Sequence, residues 1–294
     1  MTNKNYEIFG VGGVSGGEAY LIITPQRAAL IDAGYAFSAG RMVENIRERL
    51  KGRPLCCIVL THSHYDHASG AAACRQAFPG AQVLAGEKAA AVFHRPSALS
   101  KMRELDDRAA QGLGMEPDSA LLKTLTVDRV LREGELIDLG ALCLHTYETP
   151  GHTRCSLSFF DETSGLLVAS ETLGLPMGQG LNKPGYLIGY QLTIDSIRKI
   201  QALQPQALLL PHNGLYTAQT PGAYLDSALH WAEKVKGLVV EGYRQGKTQA
   251  ELVEAFKQLY FYADIGRRQV EEAFMLNAGI MVRMLLRECL GLDA

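Results

Sequence analysis

The sequence predicts a layered α/β protein that ends in a block of helices, and three observations carry that expectation. Short apolar strands alternate with amphipathic helices through the first two thirds of the chain, the pattern of sheets covered by helices. One strand, LCCIVL at residues 55–60, is continuously apolar, as expected of a strand buried on both faces. After Pro221 the strand pattern stops and helical spacing alone remains.

The elements follow in order. YEIFGV, AYLIIT and RAALIDAG read as three strands separated by Gly-rich or Pro-containing turns. Residues 38–51 form a helix whose stripe is Met42, Val43, Ile46 and Leu50. LCCIVLTH is the next strand, followed by a small-residue helix over 68–78 and the strand AQVLAG. Residues 87–125 mix charges with Ala, Leu and Met and are broken at Pro96 and Pro117, which predicts an inserted pair or trio of helices. Strands resume with VLREGELIDLG, LCLHTYETP, SLSFFD and GLLVAS, with turns at Glu133-Gly134 and residues 163–165. A Gly- and Pro-rich loop over 173–189 leads to a helix at 191–203 and the strand ALLLPH. Helices at 224–245, 248–260 and 266–290 close the chain. The two strand-rich parts share a layout, which hints at a duplicated half-unit.

A chain of 294 residues suits one large domain or two ordinary ones. Its 47% hydrophobic and 20% charged content is globular and rules out a disordered chain. Twenty-nine Lys and Arg against 31 Asp and Glu leave a net charge of −2, which favours neither nucleic acid nor an anionic membrane as partner. MTNKNYEIFGVGG has no apolar secretory core, and no run of 18 apolar residues occurs. The six cysteines form no C-x-x-C pair, which argues against a zinc ribbon or a thioredoxin-type motif. Reduced thiols in a cytoplasmic protein are the expectation.

Five of the eight histidines sit at strand ends beside Gly, Pro, Thr or Asp. The densest group is Thr61-His62-Ser63-His64-Tyr65-Asp66-His67, directly after the buried strand, where an α/β sheet places its ligand-binding loops. Three imidazoles and a carboxylate within six positions are borderline ligands suited to Zn, Fe or Mn. Packing such groups together without a cation is costly. His152 in TPGHT and His212 in PHNG each end a further apolar strand, and Glu171 follows GLLVAS as the natural acidic partner.

This pattern, His62-x-His64-x-Asp66-His67, then His152, an acidic residue at 171 and His212, with Asp32 in ALIDAG, resembles the metallo-β-lactamase superfamily over residues 6–215. The resemblance implies a four-layer αββα sandwich over residues 1–220, with the helical insertion at about 87–125 and a C-terminal helical extension over 221–294. It implies two divalent metal ions, Zn first and Fe or Mn as alternatives. His62, His64 and His152 would bind the first ion, and Asp66, His67 and His212 the second. Glu171 would bridge them, and Asp32 would support the site from behind. Most of the family has aspartate at the bridging position. The extra methylene of Glu171 leaves open a bridge with shifted backbone, a single-metal contact or a different metal preference. The C-terminal helices resemble those of glyoxalase II and the quinolone-signal response protein, where they wall the substrate pocket. Tyr224, His230, Trp231, Tyr260, Phe261 and Tyr262 are the candidates for that wall.

The chemistry implied is hydrolysis, with a metal-bound hydroxide attacking a thioester, lactone or ester of a small molecule. Asp66 is the candidate to orient the nucleophile and pass a proton to the leaving group. Ser63, Tyr65, Arg154 and Lys183 are the candidates for substrate contact. A phosphodiesterase, a mononuclear iron enzyme of the persulfide dioxygenase type and a non-catalytic metal-binding effector are the alternatives. The closing helix, with Val270, Phe274, Met281, Met284 and Leu285 on one face, packs either on its own core or on the second subunit of a homodimer.

Overall fold

The computed structural model describes residues 5–178, 180–261 and 271–292. Its strands form two six-stranded sheets and a small hairpin. The first sheet runs in chain order: β1 (Glu7–Gly10), β2 (Tyr20–Ile23), β3 (Ala28–Ile31), β4 (Cys57–Val59), β5 (Gln82–Gly86) and β6 (Arg129–Leu131). The pairs from β1 to β3 are antiparallel and those from β3 to β6 are parallel. The second sheet contains β7 (Leu136–Asp138), β8 (Cys143–Glu148), β9 (Leu157–Asp161), β10 (Leu166–Val168), β13 (Ala207–Leu210) and β14 (Gly214–Tyr216). Its order is β14-β13-β10-β9-β8-β7, with β10 and β13 parallel. The strands β11 (Leu175–Pro176) and β12 (Asn182–Lys183) make the hairpin.

The helices are α1 (Ala39–Leu50), α2 (Tyr65–Ala68), α3 (Ala71–Ala77), α4 (Glu87–Phe93), α5 (Pro96–Gly112), α6 (Tyr190–Ala202), α7 (Pro221–Arg244), α8 (Gln249–Tyr260) and α9 (Glu271–Leu290). The expected helical insertion is therefore α4, α5 and a 3-10 turn at Ala120–Thr124. No helix among the described residues is long and apolar enough to cross a membrane.

The chain divides into two compact units. One holds the residues up to Glu148, Leu157–Ser170 and Gln206–Leu215. Its core lies between the sheets: Ile22, Ile31, Val59 and Leu84 of the first interleave with Leu144, Phe159, Val168 and Leu209 of the second. This is the sandwich the sequence led us to expect. All three residues of β4 are buried, as a continuous apolar run demands.

The second unit holds Thr149–Ser156, Glu171–Pro205 and the chain from Tyr216 on. Its core joins Tyr186 and Ile194 to Trp231 and Val235 of α7, Phe256 and Tyr260 of α8, and Phe274, Met281 and Leu285 of α9. The apolar stripe of the closing helix, from Phe274 to Leu285, is thus buried against this chain's own helices; Val270 lies outside the described residues.

Three local features depart from the sequence reading. VLREGELIDLG does not form one hairpin, because β6 joins β5 in the first sheet and β7 joins β8 in the second. The turn at Glu133-Gly134 carries the chain from one sheet to the other. A short strand that the sequence reading did not assign, β14, follows β13 after three residues, still before Pro221. And α7 starts at Pro221 rather than Tyr224, with the Thr220 hydroxyl accepting from the Ala223 N–H and proline in the first turn, where its missing N–H costs nothing.

Candidate metal centre

The ligand motif sits at the carboxyl end of β4. The chain leaves the strand through Leu60 and Thr61, turns at His64, and enters the single turn of α2, so that Asp66 and His67 come back toward His62. Close backbone docking holds this turn. The Ala33 N–H donates to the His67 carbonyl at 2.7 Å and the Gly70 N–H to the Gly34 carbonyl at 3.0 Å. A Cβ at Gly70 would fall 2.1 Å from the Ala33 oxygen, so the break between α2 and α3 requires glycine.

The rings of His62 and His64 lie 4.7 Å apart, those of His62 and His67 4.2 Å, and those of His67 and His212 4.8 Å. His212 arrives from the end of β13. Oδ2 of Asp66 is 3.6 Å from Nε2 of His67 and 3.9 Å from Nε2 of His212. Loops that follow β3, β4 and β13 thus converge at one edge of the sandwich.

Hydrogen bonds decide the tautomers. Nδ1 of His67 donates to Asp32 at 2.9 Å, and Nδ1 of His212 donates to Glu18 at 2.7 Å. The Thr61 hydroxyl spends its single proton on Asp32, at 2.9 Å, and therefore accepts from Nδ1 of His62 at 3.0 Å. In the second unit Nδ1 of His152 donates to the Gly185 carbonyl at 2.8 Å. Four histidines consequently carry a proton on Nδ1, which in the neutral imidazole leaves the lone pair on Nε2, the arrangement of metal-ligating imidazoles held from behind.

Asp32 achieves its part by a left-handed backbone, φ 54°, which aspartate tolerates better than most residues. Its carboxylate also accepts the Thr61 N–H at 2.8 Å, and both Asp32 and His67 are buried. Glu18 is the partner the sequence reading missed. Burial works to raise its carboxyl, but the hydrogen bonds from His212 and the Gly16 N–H outweigh it and hold it below the usual range. The one signal in the sequence is a lone carboxylate in a glycine-rich turn, VSGGEAY.

His152 and Glu171 stand together in the second unit, with Nε2 3.2 Å from Oε2 and both side chains buried. A lone pair facing a carboxylate oxygen at that distance is repulsive unless a proton or a shared cation lies between them. The same holds where Asp66 faces His67 and His212. Neutral imidazoles, carboxylates and deliberate Nδ1 partners fit a divalent transition metal, and the described residues contain clusters able to hold one.

The other candidates are placed as follows. Ser63 and Tyr65 are half-buried in the ligand loop, and Tyr65 packs 5.8 Å from the ring of Tyr35. Burial and the neighbouring Asp66, Tyr65 and Glu18 push the Tyr35 phenol up. Arg154 is exposed two residues after His152, and the Lys183 ammonium lies 6.0 Å over the ring of Phe274. Of the aromatic candidates, Tyr224 donates to the Gly174 carbonyl at 2.8 Å, Trp231 to Gly180 at 2.9 Å and Tyr260 to Asn182 at 3.1 Å. His230 stacks edge-on against Trp231, Phe261 packs on Phe274, and Tyr262 lies outside the described residues.

A two-sheet sandwich with histidines and carboxylates gathered at its strand ends defines a metal-binding α/β protein. The family model of the metallo-β-lactamase superfamily matches residues 12–212, and the chain belongs to that superfamily. It is 30% identical over 159 residues to the uncharacterised protein YobT of Bacillus subtilis, covering 54% of this chain and 63% of that one. It is 31% identical over 171 residues to a hydroxyacylglutathione hydrolase of Cereibacter sphaeroides, covering 58% and 52%. The chain thus spans between half and two thirds of these curated relatives. A superfamily protein of Sulfolobus tokodaii shares the fold with a TM-score of 0.62 at 21% identity, covering 97% of this chain and 99% of that one. Another, from Thermus thermophilus, gives 0.63 at 18%, covering 97% and 93%.

Proposed function

We propose that the protein is a metal-dependent hydrolase of a small ester-like substrate, a thioester ahead of a lactone or simple ester. The observation that carries this is that His62, His67, His152 and His212 each give an Nδ1–H to the protein, which in the neutral ring puts the lone pair on Nε2. A relative in Streptococcus pyogenes named a probable metallo-hydrolase, 28% identical over 165 residues, supports hydrolysis. The hydroxyacylglutathione hydrolases support a thioester, which is what their named substrate is.

We assign His62, His64 and His152 to one ion, Asp66, His67 and His212 to a second, and Glu171 to both, with zinc ahead of iron or manganese. When bound, the ions supply Lewis acidity to the scissile carbonyl and bring the pKa of a water to about 7. The chain's own residues do the rest. Asp66 sits in the same turn as His67, where it can take the proton of an attacking water and return it to the leaving group. Asp32 and Glu18 keep His67 and His212 oriented and more basic. Ser63, Tyr65, Arg154 and Lys183 are assigned to substrate contact, with exposed Arg154 suited to a substrate carboxylate.

Elemental mass spectrometry on protein purified without chelator or added metal tests the reading, followed by a panel of thioesters, lactones and phosphodiesters. About two ions per chain and thioester turnover that disappears in His64→Ala are expected. One iron with oxygen uptake, or a fully loaded protein inert toward every ester, would overturn it.

A further inference from the structure

The segment that holds His152 and Glu171 is itself held by the C-terminal helices. The Gly185 carbonyl accepts from Nδ1 of His152 at 2.8 Å. On its other side, a Cβ at Gly185 would lie 1.9 Å from the carbonyl oxygen of Glu171 and 2.9 Å from its carbon. One residue therefore touches both members of the pair, and only glycine leaves room for that contact. The N–H groups of Leu187 and Ile188 donate to the Gly151 carbonyl at 2.9 and 3.0 Å, which ties the same segment to the residue before His152. The Thr172 hydroxyl completes the stitch, donating to the Thr149 carbonyl at 2.7 Å and accepting the His152 N–H at 3.2 Å.

This strap is anchored from below by buried tyrosines. Tyr186, the residue next to Gly185, is fully buried and donates its hydroxyl to the Ala232 carbonyl of α7 at 3.1 Å. Tyr260 of α8 donates to the Asn182 carbonyl at 3.1 Å, and Tyr224 of α7 to the Gly174 carbonyl at 2.8 Å. The strap is thus fastened to α8 at Asn182 and to α7 at Tyr186, and the Tyr224 bond holds the chain just before it at Gly174.

We infer that residues 182–188 form a positioning strap that presents His152 and Glu171 as one unit, and that Tyr186 and Tyr260 are positioning residues acting on metal retention through Gly185. This rests on the reading of His152 and Glu171 as ligands. In this role the C-terminal helices set the geometry of the metal centre, in addition to any wall they form around a substrate.

The test is competitive zinc titration of the purified full chain against a chromophoric chelator, together with the visible spectrum of the cobalt-substituted protein. Tyr186→Phe keeps the ring and deletes the anchor, and Gly185→Ala forces the strap away from Glu171. Each is expected to weaken zinc about tenfold or more and to alter the cobalt bands. Tyr190→Phe serves as a control. It deletes a hydroxyl bonded to Glu233 in the same unit, and should leave both readouts at their wild-type values. If Gly185→Ala fails to fold, Tyr186→Phe alone decides. Loss of zinc affinity in His152→Ala with unchanged affinity in Tyr186→Phe would overturn the strap while sparing the ligand reading. Unchanged affinity in His152→Ala would overturn the ligand reading itself, and the strap with it.

Discussion

Oδ2 of Asp32 lies 2.9 Å from Nδ1 of His67, and neither side chain reaches solvent. The carboxylate is buried yet fully engaged, since it also accepts the Thr61 N–H and hydroxyl. A positive charge on His67, from a proton or a bound cation at Nε2, balances the carboxylate's negative charge. Asp32→Asn keeps the left-handed backbone, which asparagine also tolerates, and removes that charge. Zinc affinity should fall about 10–100-fold with the fold retained. Competitive titration checks this, and an unchanged affinity would contradict it.

Glu18 stands to His212 as Asp32 does to His67, but nearer the surface. On the two-ion assignment proposed above, Glu18→Gln should weaken the ion assigned to His212 by about tenfold and spare the one assigned to His62 and His64. Metal stoichiometry read at limiting free zinc separates the two. Loss of both ions together would be the wrong result.

Asp106 offers a pH dependence at a buried carboxyl that is not among the candidate ligands. It is buried on α5 and accepts the N–H groups of Ala36 at 2.9 Å and Phe37 at 3.3 Å. Burial, partly offset by these bonds and by Ser69, pushes its carboxyl up to about 6 from an ordinary 3.8. Between those values the folded protein keeps a proton that the unfolded chain has released, so this group's contribution to stability falls as pH rises from about 4 to 6. Against Asp106→Asn in metal-free protein, the wild type should lose on the order of 2 kcal/mol of relative stability between pH 4 and pH 7. Denaturant unfolding at the two pH values measures it, and a flat difference would refute it.

Helix α8 begins with a full capping box, the Thr248 hydroxyl accepting the Glu251 N–H while Glu251 accepts the Thr248 N–H. Thr248→Ala should cost about 1 kcal/mol. Differential scanning calorimetry should place the loss in the second unit, without any change in the metal content.

The ligand motif was legible because its chemistry is local. His62, His64, Asp66 and His67 occupy six positions after one apolar strand, and no fold is needed to see that they must meet. The helix stripes at Met42–Leu50 and Phe274–Leu285 were legible for the same reason, since periodicity alone orients them. Partners far apart in sequence were not. Glu18 meets His212 across 194 positions and Gly185 meets His152 across 33, and neither leaves a local pattern. The strands β11, β12 and β14 were missed because two or three residues are too short to show alternation. The switch of sheets at Glu133-Gly134 was missed because a tight turn looks the same whether it folds a hairpin or crosses between layers. The start of α7 was legible and overlooked: Thr220-Pro221 is a cap followed by a first-turn proline.

The hydrogen bond between Glu18 and His212 joins the glycine-rich turn before β2 to the end of β13. Those two residues meet only once β13 has been made and has docked beside the turn before β2, so the full set of ligands proposed above arises late in the making of the chain. A growing chain on the ribosome carries the His62–His67 motif long before His212 is synthesised and can grip an ion only incompletely. Under the metal reading proposed above, full retention of the ions belongs to the finished fold, and the rate at which a refolding, metal-loaded chain becomes resistant to a chelator will time the docking of β13.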